Sequence, residues 1–144
     1  MIYIDENLAT SERLLRRYRM TVAEELSHLL LHRKAIEAVD APQDFLTLQK
    51  LPNWYEYERN AKKLAAMILM PSEFILKYSR QLYSDFIKQV GFGDPVAIKN
   101  FLAAKLADAF EVSLQAMKIR LGEWPIRVFD KIDQAMKDRL SFLE

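Results

Sequence analysis

The chain has 144 residues, of which 51% are apolar and 28% charged, and its formal net charge is +1. These values are typical of one soluble domain over residues 1–144, and near-neutrality gives no overall field that would attract nucleic acid or an anionic membrane. The absence of cysteine excludes disulfides, thiolate ligands and a cysteine nucleophile. The longest apolar run, residues 64–70, is too short to span a membrane, and residues 1–5 do not resemble a signal peptide, so we expect a cytoplasmic protein.

Only the N-terminus has a strand-like pattern, Ile-Tyr-Ile at residues 2–4. Apolar residues at helical spacing, bounded by capping residues, glycine or proline, predict the rest to be helical. Residues 38–53, which contain Pro42 and Pro52, predict a loop. We therefore expect a mainly α domain of the α+β class, with one short N-terminal edge strand. The predicted helices cover about residues 11–32, 54–70, 72–90, 96–110, 113–121 and 126–143.

The first predicted helix carries the groups that suggest chemistry. Glu24, His28 and His32 recur every fourth residue and stack on one face, with Glu25 about 100° round the helix beside them. This is close to the layout of a zinc-peptidase helix, in which two histidines one turn apart hold the metal and the Glu after the first is the general base. Here Glu24 stands where the first histidine would be. The leucines at 26, 29 and 30 are predicted to face a core.

Three blocks resemble the ImmA/IrrE family of bacterial and phage-associated metallopeptidases. Residues 20–32, Met-Thr-Val-Ala-Glu-Glu-Leu-Ser-His-Leu-Leu-Leu-His, resemble the family's Phe-Thr-Leu-Ala-His-Glu-Leu-Gly-His helix. Residues 58–71 begin Glu-Arg-Asn-Ala and end Leu-Met-Pro, as in the family's Glu-x-x-Ala-Asn/Asp helix with its Leu-Leu-Met-Pro ending. Residues 106–113, Leu-Ala-Asp-Ala-Phe-Glu-Val-Ser, resemble its C-terminal Leu-Ala-x-x-Phe-x-Val-Ser segment. The resemblance implies a zincin-type, gluzincin-like fold that begins, at Met1, near the family's last strand.

The resemblance also implies site residues. Glu25 matches the general base, His28 the second metal ligand and Glu58 the third ligand, while Glu24 replaces the first ligand. Lys62 stands where the family has Asn or Asp, expected to support the first histidine. Two hypotheses follow. Either Glu24 and Lys62 form an ion pair in a metal-free, catalytically inactive site, or Glu24, His28 and Glu58 hold zinc.

Two further residues of the motif helix have simpler expected roles. His32 is expected to be a polar group at the helix end rather than a ligand, because the family's ligands precede it. Ser27 replaces the family's glycine, and a small residue at this position is expected to allow close helix packing.

Several functions are consistent with this chain. Family members cleave helix-turn-helix repressors, so we expect a phage- or mobile-element-associated protein that binds such a repressor, with or without cleaving it. A catalytically inactive protein-interaction module is the second possibility, and pairing of copies through the 2–4 edge strand is a third expectation. Direct DNA binding by residues 102–121, which have helix-turn-helix proportions, is the least favoured. Its contacts would come from Ser113, Gln115, Lys118 and Arg120.

Overall fold

The computed structural model describes residues 12–37, 46–47, 49–50 and 52–138. Contacts between residues divide the chain into two compact units, residues 1–69 and 70–144. The first unit contains the helices α1 (Glu12–Leu31), α2 (Arg33–Glu37) and α3 (Trp54–Leu69). The second unit contains α4 (Ser72–Val90), α5 (Pro95–Ala109), α6 (Leu114–Gly122) and α7 (Val128–Asp138).

The predicted mainly helical class is confirmed, and the helix bounds agree with the sequence pattern to within a few residues for α1 and α3 to α6. No strand lies among the described residues, and the predicted strand at 2–4 falls outside them. None of the helices in the described ranges combines the length and apolar character needed to cross a bilayer. The organisation as a single domain stays a prediction.

Helices α1 and α3 pack against each other in the first unit. Among the residues whose burial is described, those buried in these two helices are all small: Ala23 and Ser27 on α1, and Ala61 and Ala65 on α3. The Ser27 hydroxyl donates to the Ala23 carbonyl oxygen at 2.6 Å, so its burial leaves no polar group unpaired. Small side chains allow the two backbones to approach closely, which brings neighbouring long side chains within reach of each other.

The predicted core face of α1 is wrong at three leucines. Leu26, Leu29 and Leu30 are 39%, 44% and 62% exposed. The buried stripe instead contains Ala23 and Ser27, and it lies about 100° round the helix from the stripe of Leu26 and Leu30. Hydrophobic periodicity favours the larger residues, whereas close helix packing selects the smaller ones.

Helix α5 is the centre of the second unit and packs against α4, α6 and α7. Asp94 begins it as the N-cap, since its side chain accepts from the Val96 backbone N–H at 3.0 Å, and Pro95 occupies the first turn. Ser113 caps α6 in the same way, accepting from the Ala116 N–H at 3.1 Å. The fully buried large side chains of this unit are Met70, Ile75, Tyr83, Ile98, Leu102, Leu106, Val112, Met117, Leu121, Ile126, Val128 and Ile132.

Arg120 is the one charged residue in the described part of the chain that is almost fully buried, at 4% exposure. Its Nε donates to the Met70 carbonyl oxygen at 3.2 Å, and its Nη2 donates to the Ser72 hydroxyl at 2.9 Å. Burial lowers the pKa of Arg120, with the charge of Glu123 opposing the shift. These bonds tie the last turns of α6 to the start of α4, so the Met-Pro-Ser turn at residues 70–72 is held from inside the unit.

Candidate functional site

The seam between α1 and α3 brings together four of the predicted site residues. Glu24 and His28 project from α1, and Glu58 and Lys62 from α3. His28 Nε2 lies 3.2 Å from Glu58 Oε1. Lys62 Nζ lies 3.7 Å from Glu24 Oε1 and 3.5 Å from Glu58 Oε2. The ammonium group is therefore within ion-pair distance of both carboxylates, one from each helix.

The second nitrogen of His28 has its own partner, His32, which the four-residue spacing predicts to lie on the same helix face. His28 Nδ1 lies 3.2 Å from His32 Nδ1, so the two imidazoles contact each other at the C-terminal end of α1. The Trp54 ring lies nearly parallel to that of His28, at 11° with centroids 6.2 Å apart. Tyr57 lies against His32, with ring centroids 4.4 Å apart. The spacing of four residues from His28 to His32 is the sequence signal for this contact, although the family pattern favours a polar helix end at His32.

Glu25, the predicted general base, lies beside this cluster on α1 and is exposed. Its charge contributes to the electrostatics of Glu24, since it is one of the groups that raise the pKa of that carboxyl. The structure thus places Glu25 next to the seam, while Glu24, His28, Glu58 and Lys62 contact one another within it.

The seam shifts two pKa values. Burial raises the pKa of Glu24 above its usual value, the charges of Glu58 and Glu25 raise it further, and Lys62 and His28 oppose the shift. Burial lowers the pKa of His32, His28 lowers it further, and the negative charge of Glu58 opposes the shift. Both shifts disfavour the charged form, as expected for groups that are partly removed from water.

The donor set of the seam differs from what a zinc ion requires. Zinc needs three or four donor atoms at about 2.0–2.3 Å from one point. Lys62 Nζ already forms ion pairs with the two carboxylates that would have to bind the ion, and a divalent cation beside it would be repelled. No three His, Cys, Asp or Glu side chains in the described ranges are grouped so as to hold a metal ion. In the arrangement described, these residues do not fit a zinc centre.

A comparison with protein families gives a match to the IrrE N-terminal-like domain, a peptidase family, over residues 1–122. The matched range includes α1, α3 and the turn between α5 and α6, the three regions that carry the sequence resemblance. The predicted family is therefore confirmed. Searches of curated proteins and of solved structures gave no significant match.

The raised pKa of Glu24 predicts a pH-dependent effect of Glu24→Gln. In the folded state the ionised carboxylate is disfavoured, so ionisation of Glu24 lowers the free energy of unfolding. This destabilisation is absent below the unfolded-state pKa and is fully developed once the pH has risen through the folded-state pKa. The neutral amide avoids this destabilisation. We expect Glu24→Gln to increase the free energy of unfolding at about pH 7 and to have a smaller effect near pH 4.

Urea unfolding followed by circular dichroism at the two pH values measures this difference. The matched control is Glu25→Gln, because Glu25 is adjacent in sequence but exposed, and surface substitutions usually change stability by less than about 0.5 kcal/mol. A loss of stability for Glu24→Gln that is larger at pH 7 than at pH 4 would mean that attraction to Lys62 outweighs burial.

Proposed function

We propose that this chain, which belongs to the IrrE N-terminal-like domain family, keeps the metallopeptidase fold but binds a protein target without hydrolysing it through a metal centre. The observation that carries the proposal is the position of Lys62 Nζ, 3.7 Å from Glu24 and 3.5 Å from Glu58. In peptidases of this type, zinc supplies an activated water molecule and polarises the peptide carbonyl. In this chain, the carboxylates of Glu24 and Glu58 face an ammonium group instead.

The two sequence changes compensate each other in charge. At the first-ligand position, a neutral imidazole is replaced by the carboxylate of Glu24, which adds a negative charge. At the supporting position, an amide or carboxylate is replaced by Lys62, which adds a positive charge. Their side chains are within ion-pair distance across the seam, so the pair of changes supports loss of the metal rather than exchange for another metal.

The proposed target is a helix-turn-helix repressor in a phage or mobile-element setting. The support is the family resemblance, because relatives that resemble this sequence act on repressors of that type. Binding without hydrolysis would allow the protein to sequester the repressor reversibly. A general interaction module with another protein partner is the alternative within the same proposal.

Retention of zinc by Glu24, His28 and Glu58 is the second candidate, and one observation favours it. The Lys62 side chain is 62% exposed and could swing into solvent, which would release both carboxylates. Two anionic ligands would leave such a metal less able to acidify its bound water than one carboxylate with two histidines. This candidate therefore predicts bound zinc with weak hydrolytic activity.

Direct DNA binding by residues 102–121 receives less support. The Arg120 guanidinium is buried and bonded to Met70 and Ser72, and the Ser113 side chain caps α6. Two of the four side chains expected to read DNA are therefore engaged within the protein, while Gln115 and Lys118 are exposed.

Metal analysis tests the replacement of zinc by Lys62. We expect the unmodified protein, purified without chelator, to contain substoichiometric zinc that is removed by desalting. The double variant Glu24→His with Lys62→Asn restores the family's residues at both positions, and we expect it to retain one zinc per chain through two histidines and Glu58. Lys62→Asn alone is the matched control, since it removes the ammonium but leaves Glu24. Stoichiometric zinc in the unmodified protein would contradict the proposal.

Incubation with a candidate helix-turn-helix repressor separates binding from cleavage. We expect pull-down of intact repressor by the unmodified chain, with no new fragment on a denaturing gel. The Glu25→Gln variant should bind to the same extent, because no hydrolytic step is involved and Glu25 is exposed. Repressor fragments that form with the unmodified chain and not with Glu25→Gln would instead establish a working peptidase.

A further inference from the structure

The two histidines of the chain, His28 and His32, are its only imidazoles and lie in contact on one helix face. The His32 backbone N–H donates to the His28 carbonyl oxygen at 2.8 Å, so the helical turn continues through His32. Their Nδ1 atoms are 3.2 Å apart, and their ring planes are tilted by 52°. A His-x3-His pair on a helix is a spacing that places two imidazole nitrogens around one metal ion.

The contact of His28 with Glu58 fixes which of its nitrogens has a free lone pair. Glu58 Oε1, at 3.2 Å from His28 Nε2, can only accept a hydrogen bond when ionised, so Nε2 carries the proton. In the neutral ring, Nδ1 is then the basic nitrogen, and it points to His32. Histidine ligands in metal sites commonly donate their other N–H to a carboxylate in this way.

The spacing and the surroundings also suit an ion. Two nitrogens bound to one metal at about 2.0–2.1 Å lie about 2.8–3.4 Å apart for bond angles between 90° and 110°, and the observed separation of 3.2 Å is within that range. The Trp54 ring is nearly parallel to that of His28, with centroids 6.2 Å apart, and the Tyr57 ring centroid lies 4.4 Å from that of His32. Lys62 Nζ pairs with Glu58 Oε2, and Glu58 contacts His28 at Nε2 rather than at the Nδ1 that faces His32.

We propose that His28 and His32 chelate a divalent transition-metal ion of the imidazole-preferring class through their Nδ1 atoms. This pair is shifted by one helical turn from the family's pair of ligand positions, 24 and 28. Glu58 then acts as the hydrogen-bond acceptor that orients His28, and water completes the coordination shell. Any proton on Nδ1 of His32 moves to its Nε2 or to solvent when the ion binds. No third donor is grouped with this pair among the described residues. The ion is therefore bound reversibly and exchanges with ions in solution.

Titration of the untagged full chain with Ni²⁺ tests this site, since imidazole suits nickel and no other histidine competes. We expect one Ni²⁺ per chain by calorimetry. The exchange variant His32→Arg with Arg33→His keeps the composition but moves the second imidazole off the His28 face. We expect it to weaken Ni²⁺ binding at least about tenfold. Lys63→Ala, an exposed change on α3, serves as the control and should leave binding unaltered.

Three results would overturn the inference: no Ni²⁺ binding by the unmodified chain, undiminished binding by the exchange variant, or an equal loss on Glu24→Gln, which would assign the ion to the carboxylates. His32→Gln is a second variant in case the exchange variant misfolds, and circular dichroism checks its helicity. We expect it to lose Ni²⁺ affinity to the same extent. Failure of the proposed function is distinguishable, because it appears as zinc that remains with the purified protein and persists in His32→Gln.

Discussion

The close approach of α1 and α3 is the constraint on which the site depends. Both helices bury alanine or serine in the described part of this unit, at Ala23, Ser27, Ala61 and Ala65. Three of the four seam residues immediately adjoin these positions in sequence: Glu24 follows Ala23, His28 follows Ser27, and Lys62 follows Ala61. A larger side chain at Ser27 or Ala61 would force the backbones apart and separate the ion pairs without touching a site residue.

The charges in the seam form one connected set. Lys62 bridges a carboxylate from each helix, and Glu58 contacts both Lys62 and His28. Partial burial makes the ionised form of Glu24 unfavourable, and this is the larger effect on its pKa, ahead of attraction to Lys62. The pair with Lys62 is therefore better understood as charge compensation than as a source of stability. An ammonium can neutralise carboxylates, but it cannot activate water as a zinc ion does.

The sequence predicts the residues of the seam better than the burial pattern of its helices. Glu24 and His28 are four residues apart, which indicates a helix with both side chains on one side. The second block, residues 58–71, indicates a second helix that carries Glu58 and Lys62. The exposed leucines of α1 could not be predicted, because a helix with several apolar stripes does not reveal which one meets its neighbour. Close packing by small residues depends on both helices together. The hydrophobic periodicity of one helix therefore does not show where the other helix packs against it.

The spacing predicts that His28 and His32 stack on one helix face, but it does not predict that their Nδ1 atoms contact each other. The spacing of four residues is visible in the sequence. The family's metal-binding motif ends at His28, however, so it predicts no role for His32. The structure gives His28 two different neighbours, Glu58 at one nitrogen and His32 at the other. One side of this imidazole faces Glu58, which also contacts Lys62. The other side faces a second imidazole and, in our proposal, is available to an exchangeable ion.

Anomalous X-ray scattering at the zinc edge, from crystals soaked in zinc, tests the replacement of the metal by Lys62 most directly, because it locates the ion and Lys62 in one experiment. We predict no zinc peak between Glu24 and Glu58 and a Lys62 ammonium in contact with both carboxylates. A zinc peak at bonding distance, about 2.0–2.2 Å, from Glu24, His28 Nε2 and Glu58 together, with Lys62 displaced into solvent, would contradict that replacement.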